Sequence, residues 1–186
     1  MASVKGTLFV DYVRMLRAKK GVDWARYLAP QDLPFLEQRI EPDAWYPMAT
    51  FERMGVAVLE EVAEKNLGLV EQWGRMSIDW LCQTHPNLVA PGDPRESLMR
   101  FQVLRQSFFD YPALVMQEIT DGEANVLVAY GMGPRAEEAA AHQTLGFFAR
   151  LLEVSGARDI RIAFSSRSWD GAPRTILSMR WASSYS

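Results

Sequence analysis

The single cysteine and one of the two histidines are the first residues to consider for metal or nucleophilic chemistry. Cys82 and His85 are three residues apart, a spacing that places both side chains on one face of a helix. One interpretation of such a pair is half of a metal site, and another is a cysteine thiolate activated by the histidine. A metal site needs three or four ligands, and the chain has no second pair of this kind. We therefore expect Cys82 to pack as a small apolar group and His85 to end a helix, and we predict no metal site.

A second set with the chemistry of an acid–base site is His142, with Glu138 one helical turn before it, together with Tyr130 and Arg135. Catalysis requires these side chains to lie within hydrogen-bond reach of one another, and their spacing does not establish that. No nucleophile elbow, phosphate-binding loop or metal-binding helix motif occurs in the sequence. The sequence therefore assigns no catalytic residue.

The composition is typical of one globular domain, which we expect to span residues 1–186. The chain is 48% apolar and 23% charged, with a net charge of −3. No apolar stretch approaches the roughly 20 residues that span a bilayer, and the amino terminus resembles no export signal. The single cysteine is compatible with a reducing compartment. We predict a cytoplasmic protein without membrane insertion, and the acidic balance argues against nucleic acid as a partner.

The first 110 residues have the apolar periodicity of helices. The spacing predicts helices over residues 4–19, 51–66, 69–85 and 95–109, with shorter ones around Trp24 and from Pro30 to Ile40. Pro42 and Pro47 bracket two large amphipathic rings, Trp45 and Tyr46, and we expect this segment to form a fixed corner between helices.

Beyond Pro112 the period changes to the alternation of strands. Strands are predicted from Leu114, over 123–132 after an Asp121-Gly122 turn, over 160–164 and over 175–181, with one helix between the second and third. The predicted fold class is α+β: amino-terminal helices followed by a small antiparallel four-stranded sheet in the order ββαββ, with helices on one side. Residues 182–186 are expected to fray.

The aromatic residues suggest a ligand pocket. Trp73 and Trp80 are seven residues apart and would share a helix face. The candidate ligand-binding residues, which would form an apolar pocket with polar tips, are Trp45, Tyr46, Trp73, Trp80, Phe101, Tyr130 and Arg135. The alternative is that these rings build an aromatic core that holds the domain together.

The last part of the chain is rich in arginine. Residues 158–180 contain five arginines against Asp159 and Asp170. Arg161, Arg174 and Arg180 are candidate residues for docking an acidic partner protein. Ordinary surface solubility explains the same pattern.

The element order, with Lys5-Gly6 opening the first helix, the Trp45-Tyr46-Pro47 segment and a closing strand that ends in Trp181, resembles a bacterial family of about this length. That family is frequent, as a set of paralogues, among myxobacteria and related deltaproteobacteria. It is similar in architecture to the haem–nitric-oxide-binding sensor domain and the four-vinyl-reductase-type small-molecule-binding domain. The resemblance implies an α+β ligand-binding or sensory domain.

The residues that hold haem in those relatives are not matched. The relatives place an iron-ligating histidine on the helix before the first strand of the sheet, and residues 95–109 contain no histidine. They also carry Tyr-x-Ser-x-Arg on the second strand. Here Tyr130 is kept, Met132 replaces the serine, Pro134 replaces the arginine, and Arg135 comes one position late. We therefore expect no haem and no other cofactor, and an apolar or anionic small molecule as ligand.

Together these features predict a non-catalytic cytoplasmic sensor or adaptor domain that binds a small apolar or anionic ligand or a signalling partner protein. Two alternatives stay open. One is a structural module that associates with itself as a homodimer. The other is an enzyme of unknown reaction that uses Tyr130, Arg135 and His142.

Overall fold

The computed structural model describes residues 1–182; residues 183–186, which fall in the tail expected to fray, lie outside the described residues. The α-helices are α1 (Gly6–Ala18), α2 (Met48–Ala57), α3 (Leu67–Thr84), α4 (Pro94–Leu104) and α5 (Pro134–Val154). The strands are β1 (Ser3–Lys5), β2 (Trp45–Pro47), β3 (Leu114–Gln117), β4 (Glu123–Val128), β5 (Arg158–Ser166) and β6 (Thr175–Ala182). Single 3₁₀ turns occupy Trp24–Arg26, Leu33–Leu36, Arg105–Ser107 and Ser168–Asp170, and a π-helical turn, Val58–Val62, extends α2.

The carboxy-terminal half is a four-stranded antiparallel sheet in the order β3-β4-β6-β5. Helix α5 covers one of its faces, with Phe148 and Leu151 fully buried in the same core as Leu177 and Met179. The alternating sequence of β6 produces this arrangement, because every second side chain faces α5. The predicted class of mixed helix and sheet is therefore confirmed.

The ββαββ description is incomplete, because the structure contains a second, two-stranded sheet. The segment Trp45-Tyr46-Pro47 is not a corner between helices but strand β2, which pairs antiparallel with β1 so that Val4 lies opposite Tyr46. The first helix consequently begins at Gly6 and not at residue 4. Glycine is required there, since a Cβ atom at Gly6 would lie 1.9 Å from the Glu41 carbonyl oxygen.

Two predicted boundaries in the amino-terminal half were wrong for one shared reason. The buried carboxylate of Asp32 accepts the backbone N–H of Ala29, the Thr50 hydroxyl and the Arg53 guanidinium. These bonds fix residues 29–32 as a loop, so the predicted helix up to Ile40 shrinks to the single turn Leu33–Leu36. Helix α2 begins at Met48 and not at residue 51, so Thr50 lies in its first turn, and the Thr50 hydroxyl donates to Asp32.

The connection predicted as a turn at Asp121-Gly122 is longer in the structure. β3 ends at Gln117 and β4 begins at Glu123, so the connection has five residues, and Glu118 takes a φ of 53°.

The amino-terminal helices have an aromatic core of their own. The ring of Phe9 stacks on Tyr46 at 4.4 Å, and the ring of Tyr12 stacks on Phe51 at 4.5 Å. Leu8, Phe109 and Tyr130 pack against both this core and the sheet core, so they join the two. Within residues 1–182 no helix is long and apolar enough to cross a membrane.

Candidate ligand-binding site

The aromatic residues that the sequence suggested for a pocket are distributed over different parts of the fold. Tyr46 is buried in the amino-terminal core, which Trp73 and Tyr130 also contact. Phe101 belongs to the sheet core, where its ring contacts Phe147 and Phe148. Trp45 and Trp80 are 43% and 48% exposed. Tyr46, Trp73 and Tyr130 thus pack in or against the amino-terminal core. Trp45, Trp80 and Phe101 lie outside that core.

Tyr130 and its neighbours form a hydrogen-bonded junction rather than an open pocket. The Tyr130 hydroxyl lies 2.6 Å from Thr144 Oγ1, and burial raises its pKa. The carboxylate of Glu137 accepts the backbone N–H groups of Tyr130 and Met132 at 2.9 and 3.0 Å. The Tyr111 hydroxyl donates to the Tyr130 carbonyl oxygen at 3.0 Å. These bonds fix the turn between β4 and α5.

The side chains proposed for acid–base chemistry are each engaged by a different partner. Arg135 forms an ion pair with Glu60, on the π-helical turn. His142 Nδ1 lies 2.7 Å from Glu71 Oε1, and its ring packs against Phe164 and Trp169. Tyr130, Arg135 and His142 therefore share no hydrogen-bond partner in the described part of the chain.

The cysteine and the other histidine occupy ordinary structural positions. His85 ends α3, and its ring lies edge-on to Phe108. Cys82 packs against the sheet core, and burial, with the charge of Asp79, raises the pKa of its thiol. Over residues 1–182, no three His, Cys, Asp or Glu side chains lie together as a metal site would require.

A cleft of about 350 Å³ opens at the surface where α4 ends and β3 begins. This volume lies within the range of small-molecule sites. Its lining combines aromatic and apolar side chains with charged and amide groups. The lining residues are Arg105, Gln106, Phe109, Asp110, Tyr111, Pro112 and Leu114.

The guanidinium of Arg105 is the cationic group of this cleft. Its Nε donates to the Gln102 carbonyl oxygen at 3.0 Å, and its Nη1 donates to the Leu114 carbonyl oxygen. Both acceptors are neutral, and among residues 1–182 no carboxylate forms an ion pair with Arg105. A guanidinium held in place by two carbonyls retains its full charge and further N–H donors for an anion.

The cleft residues lie next to β1, the first strand of the chain. Asp110 accepts the Ser3 N–H at 2.6 Å, and its own N–H donates to the Ser3 carbonyl oxygen at 3.3 Å. Lys5 N–H donates to the Phe108 carbonyl oxygen at 2.8 Å. Tyr111, on the cleft wall, is also bonded to Tyr130. The cleft residues are therefore connected to both β1 and the β4–α5 turn.

Sequence reasoning did not select the cleft. The helix predicted to reach Phe109 and the strand predicted from Leu114 left only residues 110–113 as a connection. The signal that was present is Asp110-Tyr111-Pro112, a polar and ring-locked turn five residues after Arg105.

The arginines predicted to dock a partner lie on the sheet, but not together. Arg161 lies opposite Arg180 across β5 and β6, and both side chains are exposed. Arg174 is exposed just before β6 begins, at the other end of that strand.

No family model matches the sequence, and no curated protein matches it. Solved structures do match over nearly the whole chain. An Fe(II) unliganded H-NOX protein variant from K. algicida has a TM-score of 0.62 at 16% identity, covering 97% of each chain. An H-NOX protein from S. oneidensis in the Fe(II)NO state has a TM-score of 0.59 at 13% identity, covering 96% of this chain and 99% of that one. A T. Tengcongensis H-NOX variant has a TM-score of 0.58 at 14% identity, covering 95% and 97%.

These neighbours confirm an architecture like that of haem–nitric-oxide-binding domains. At such low identity the likeness concerns the fold, and membership of the bacterial paralogous family stays a prediction. The expected four-vinyl-reductase likeness also stays a prediction.

The residues present do not fit haem in the way the resemblance implied. Helix α4 offers no histidine, and both histidines of the chain are engaged elsewhere. Tyr130 bonds Thr144, and Arg135 pairs with Glu60. The rings of Phe109, Tyr111 and Tyr130 pack on one another between the two cores. Side chains of the protein itself thus engage the hydrogen-bonding groups of Tyr130 and Arg135.

Proposed function

We propose that the chain is an H-NOX-like sensor domain of the cytoplasm that binds a small molecule in the Arg105 cleft and does not bind haem. The fold likeness supports a sensory role, and the packing of Phe109 on Tyr130 supports a ligand other than haem. The domain acts by binding and not by turnover, since Tyr130, Arg135 and His142 are each engaged by a separate partner.

The chemistry of the ligand follows from the cleft walls. The observation that supports this proposal most is that Arg105, whose guanidinium has neutral carbonyl partners, lines a cleft together with Phe109, Tyr111 and Pro112. A carboxylate or phosphate would bind the guanidinium, while an apolar body of ring size would pack on the aromatic wall. The ligand class is therefore a small molecule with one anionic group and one apolar part.

The cleft is placed to transmit binding to both halves of the domain. Asp110 is tied to Ser3 of β1, and Tyr111 is tied to the turn at Tyr130. A ligand that shifts residues 105–114 would change these bonds, and its effect would reach β1 and the β4–α5 turn. Ligand binding then biases the position of the amino-terminal half relative to the sheet.

The test is thermal unfolding of the protein with benzoate, indole-3-acetate and inorganic phosphate as probes. Ligands that bind the folded state raise the unfolding temperature. We expect the aromatic carboxylates to raise it and phosphate to do so less. Gln106→Glu adds a negative charge to the cleft at an exposed position and should weaken the effect about fivefold or more in affinity, which corresponds to roughly 1 kcal/mol. Gln72→Glu, an exposed glutamine that does not line the cleft, is the matched control.

Three results would contradict the proposal: no probe stabilises the protein, phosphate stabilises it as much as the aromatic acids, or both variants respond like wild type.

Self-association through α3 is the second candidate, and one observation favours it. Leu69, Met76 and Trp80 are 37%, 63% and 48% exposed, and with half-buried Trp73 they form a stripe along α3. Their spacing of four, three and four residues reads the same in both directions. Two antiparallel copies of α3 would therefore place Leu69 opposite Trp80 and Trp73 opposite Met76.

Light scattering over a concentration series tests this homodimer. The candidate predicts a mass that doubles with concentration for the wild type, and a monomer for Trp80→Glu. Gln72→Glu, on the same helix, should behave as wild type. A monomeric wild type at all concentrations removes this candidate.

A further inference from the structure

The face of the four-stranded sheet that points away from α5 carries no comparable apolar layer. On β6, the residues facing α5 are buried, while Ile176, Ser178, Arg180 and Ala182 on the other face are half-buried or exposed. On β5, Arg161, Ala163 and Ser165 are exposed. We call this second face the open face.

One end of the open face holds three arginines. Arg161 is paired in register with Arg180, and Arg158 is paired with Ala182, two residues further along β6. Residues paired across strands point to the same side, so Arg158, Arg161 and Arg180 all lie on the open face. A bulge at residues 159–160, where Asp159 takes a φ of 49°, brings Arg158 into this position.

Neighbouring carboxylates balance only part of the charge of this end, which has three arginines against Glu123 and Asp159. Arg180 Nε lies 3.6 Å from Glu123 Oε2, and the exposed Asp159 is in the bulge. Within residues 1–182, neither Arg158 nor Arg161 forms an ion pair. Like charges directly opposite on neighbouring strands are unfavourable. A bound anion would relieve this repulsion between Arg161 and Arg180.

We infer that Arg158, Arg161 and Arg180 form a docking site for an acidic segment of a partner protein. Guanidinium groups bind carboxylates bidentately and are more weakly hydrated than lysine, which suits a protein interface. The surface is a sheet face without an enclosing wall, so it fits a chain segment better than a small ion. This docking site is independent of the Arg105 cleft.

The rest of the open face defines what the segment carries beside its acidic residues. Val115, Leu127 and Ile176 lie in one row across β3, β4 and β6, and all three are half-buried. Ile176 is four residues from Arg180, about 13 Å along the strand. A segment with carboxylates at one end and an apolar side chain about 13 Å away would contact both groups.

Nucleic acid fits this surface less well. The middle of the open face consists of Gln117, Asn125, Ser178 and Ala163, which lie in register across the four strands. These side chains offer no ring on which a base can stack.

The experiment is fluorescence anisotropy with a labelled Glu-rich peptide that contains leucines. Arg161→Glu combined with Arg180→Glu should weaken binding about tenfold or more, because two attractive contacts become repulsive. Arg167→Glu combined with Arg174→Glu is the matched control: it reverses the same number of charges at exposed arginines near the far end of β6 and should weaken binding less than about twofold. Circular dichroism verifies that each variant is folded.

Each outcome decides the question. Loss in the Arg161/Arg180 variant with retention in the Arg167/Arg174 variant supports the docking site. Equal loss in both variants shows attraction to net charge alone and overturns it, as does a wild type that does not bind the peptide. Tighter, competitive binding of a single-stranded oligonucleotide would assign the surface to nucleic acid instead.

Discussion

Where α3 crosses α5, the two helix backbones are in direct contact at Gly74 and Gly146. A Cβ atom at Gly74 would lie 1.9 Å from the Gln143 carbonyl oxygen, and a Cβ atom at Gly146 would lie 1.9 Å from the Glu71 carbonyl oxygen. The two helices can approach this closely only because both positions lack a side chain. This crossing also brings Glu71 to His142, and Arg75 to Glu153.

Gly74→Ala and Gly146→Ala should each destabilise the protein, because the added methyl group must push two backbones apart. We expect the free energy of unfolding to fall by about 1–3 kcal/mol for each. Urea unfolding followed by circular dichroism measures this. Gly68→Ala, also on α3, would meet only the side chain of Asn66 at 3.1 Å and should change stability by less than about 1 kcal/mol. Equal effects at Gly68 and Gly74 would count against the close crossing.

Asp32→Asn should destabilise the protein by about 3 kcal/mol at neutral pH, because the buried carboxylate is the partner of Arg53 and Thr50. Burial acts to raise the pKa of Asp32, but the hydrogen bonds from Arg53, Thr50 and Ala29 together lower it by more, so the pKa lies below its ordinary value of 3.8. The stabilisation is therefore present above the ordinary value and is lost as pH falls through the lowered one.

Urea unfolding from neutral to acid pH measures the difference between wild type and Asp32→Asn, which should shrink toward acid. Asp23→Asn is the control, because Asp23 is exposed and asparagine caps a helix turn as well as aspartate. A difference that stays constant down to acid pH would show that the charge of Asp32 has no part in it.

The effect of Glu137→Gln on the pH dependence of stability should be opposite to that of Asp32→Asn. Burial raises the pKa of Glu137, against the effect of the N–H groups of Met132 and Tyr130. Ionisation therefore costs more in the folded state, and wild-type stability falls as pH rises from the ordinary value of 4.5 through the raised one. Glutamine removes this slope, at a cost of about 1 kcal/mol for one lost hydrogen bond.

The measurement is the melting temperature of wild type, Glu137→Gln and the neighbouring Glu138→Gln across mildly acidic to neutral pH. Glu138→Gln should keep the wild-type slope. A wild-type slope retained in Glu137→Gln would show that another group causes it.

The sheet could be predicted from the sequence because alternation marks its strands. Ile162 and Phe164 alternate with the exposed Arg161 and Ala163, and this pattern identified β5. Strands β1 and β2 could not be predicted, because three residues are too few for a period and their pairing is set by Gly6 against Glu41. Tyr46 therefore looked like an isolated anchor, although it stacks on Phe9.

The candidate site was harder to predict, because its geometry depends on contacts distant in sequence. Asp110 is fixed by Ser3, and Tyr111 by Tyr130. The aromatic side chains drew attention by their number, but rings such as Phe101 serve packing in the core. Composition identifies which side chains are rare. It does not show which of them face solvent.

Our central proposal is that this H-NOX-like fold does not hold haem, because the rings of Phe109, Tyr111 and Tyr130 pack together at the junction between its two cores. The most direct measurement is the absorption spectrum of the purified protein after incubation with excess haem and gel filtration, with a haem-binding H-NOX domain treated in parallel. The account predicts a colourless protein without a Soret band, while the parallel domain retains one. A stoichiometric Soret band that elutes with this protein would contradict it.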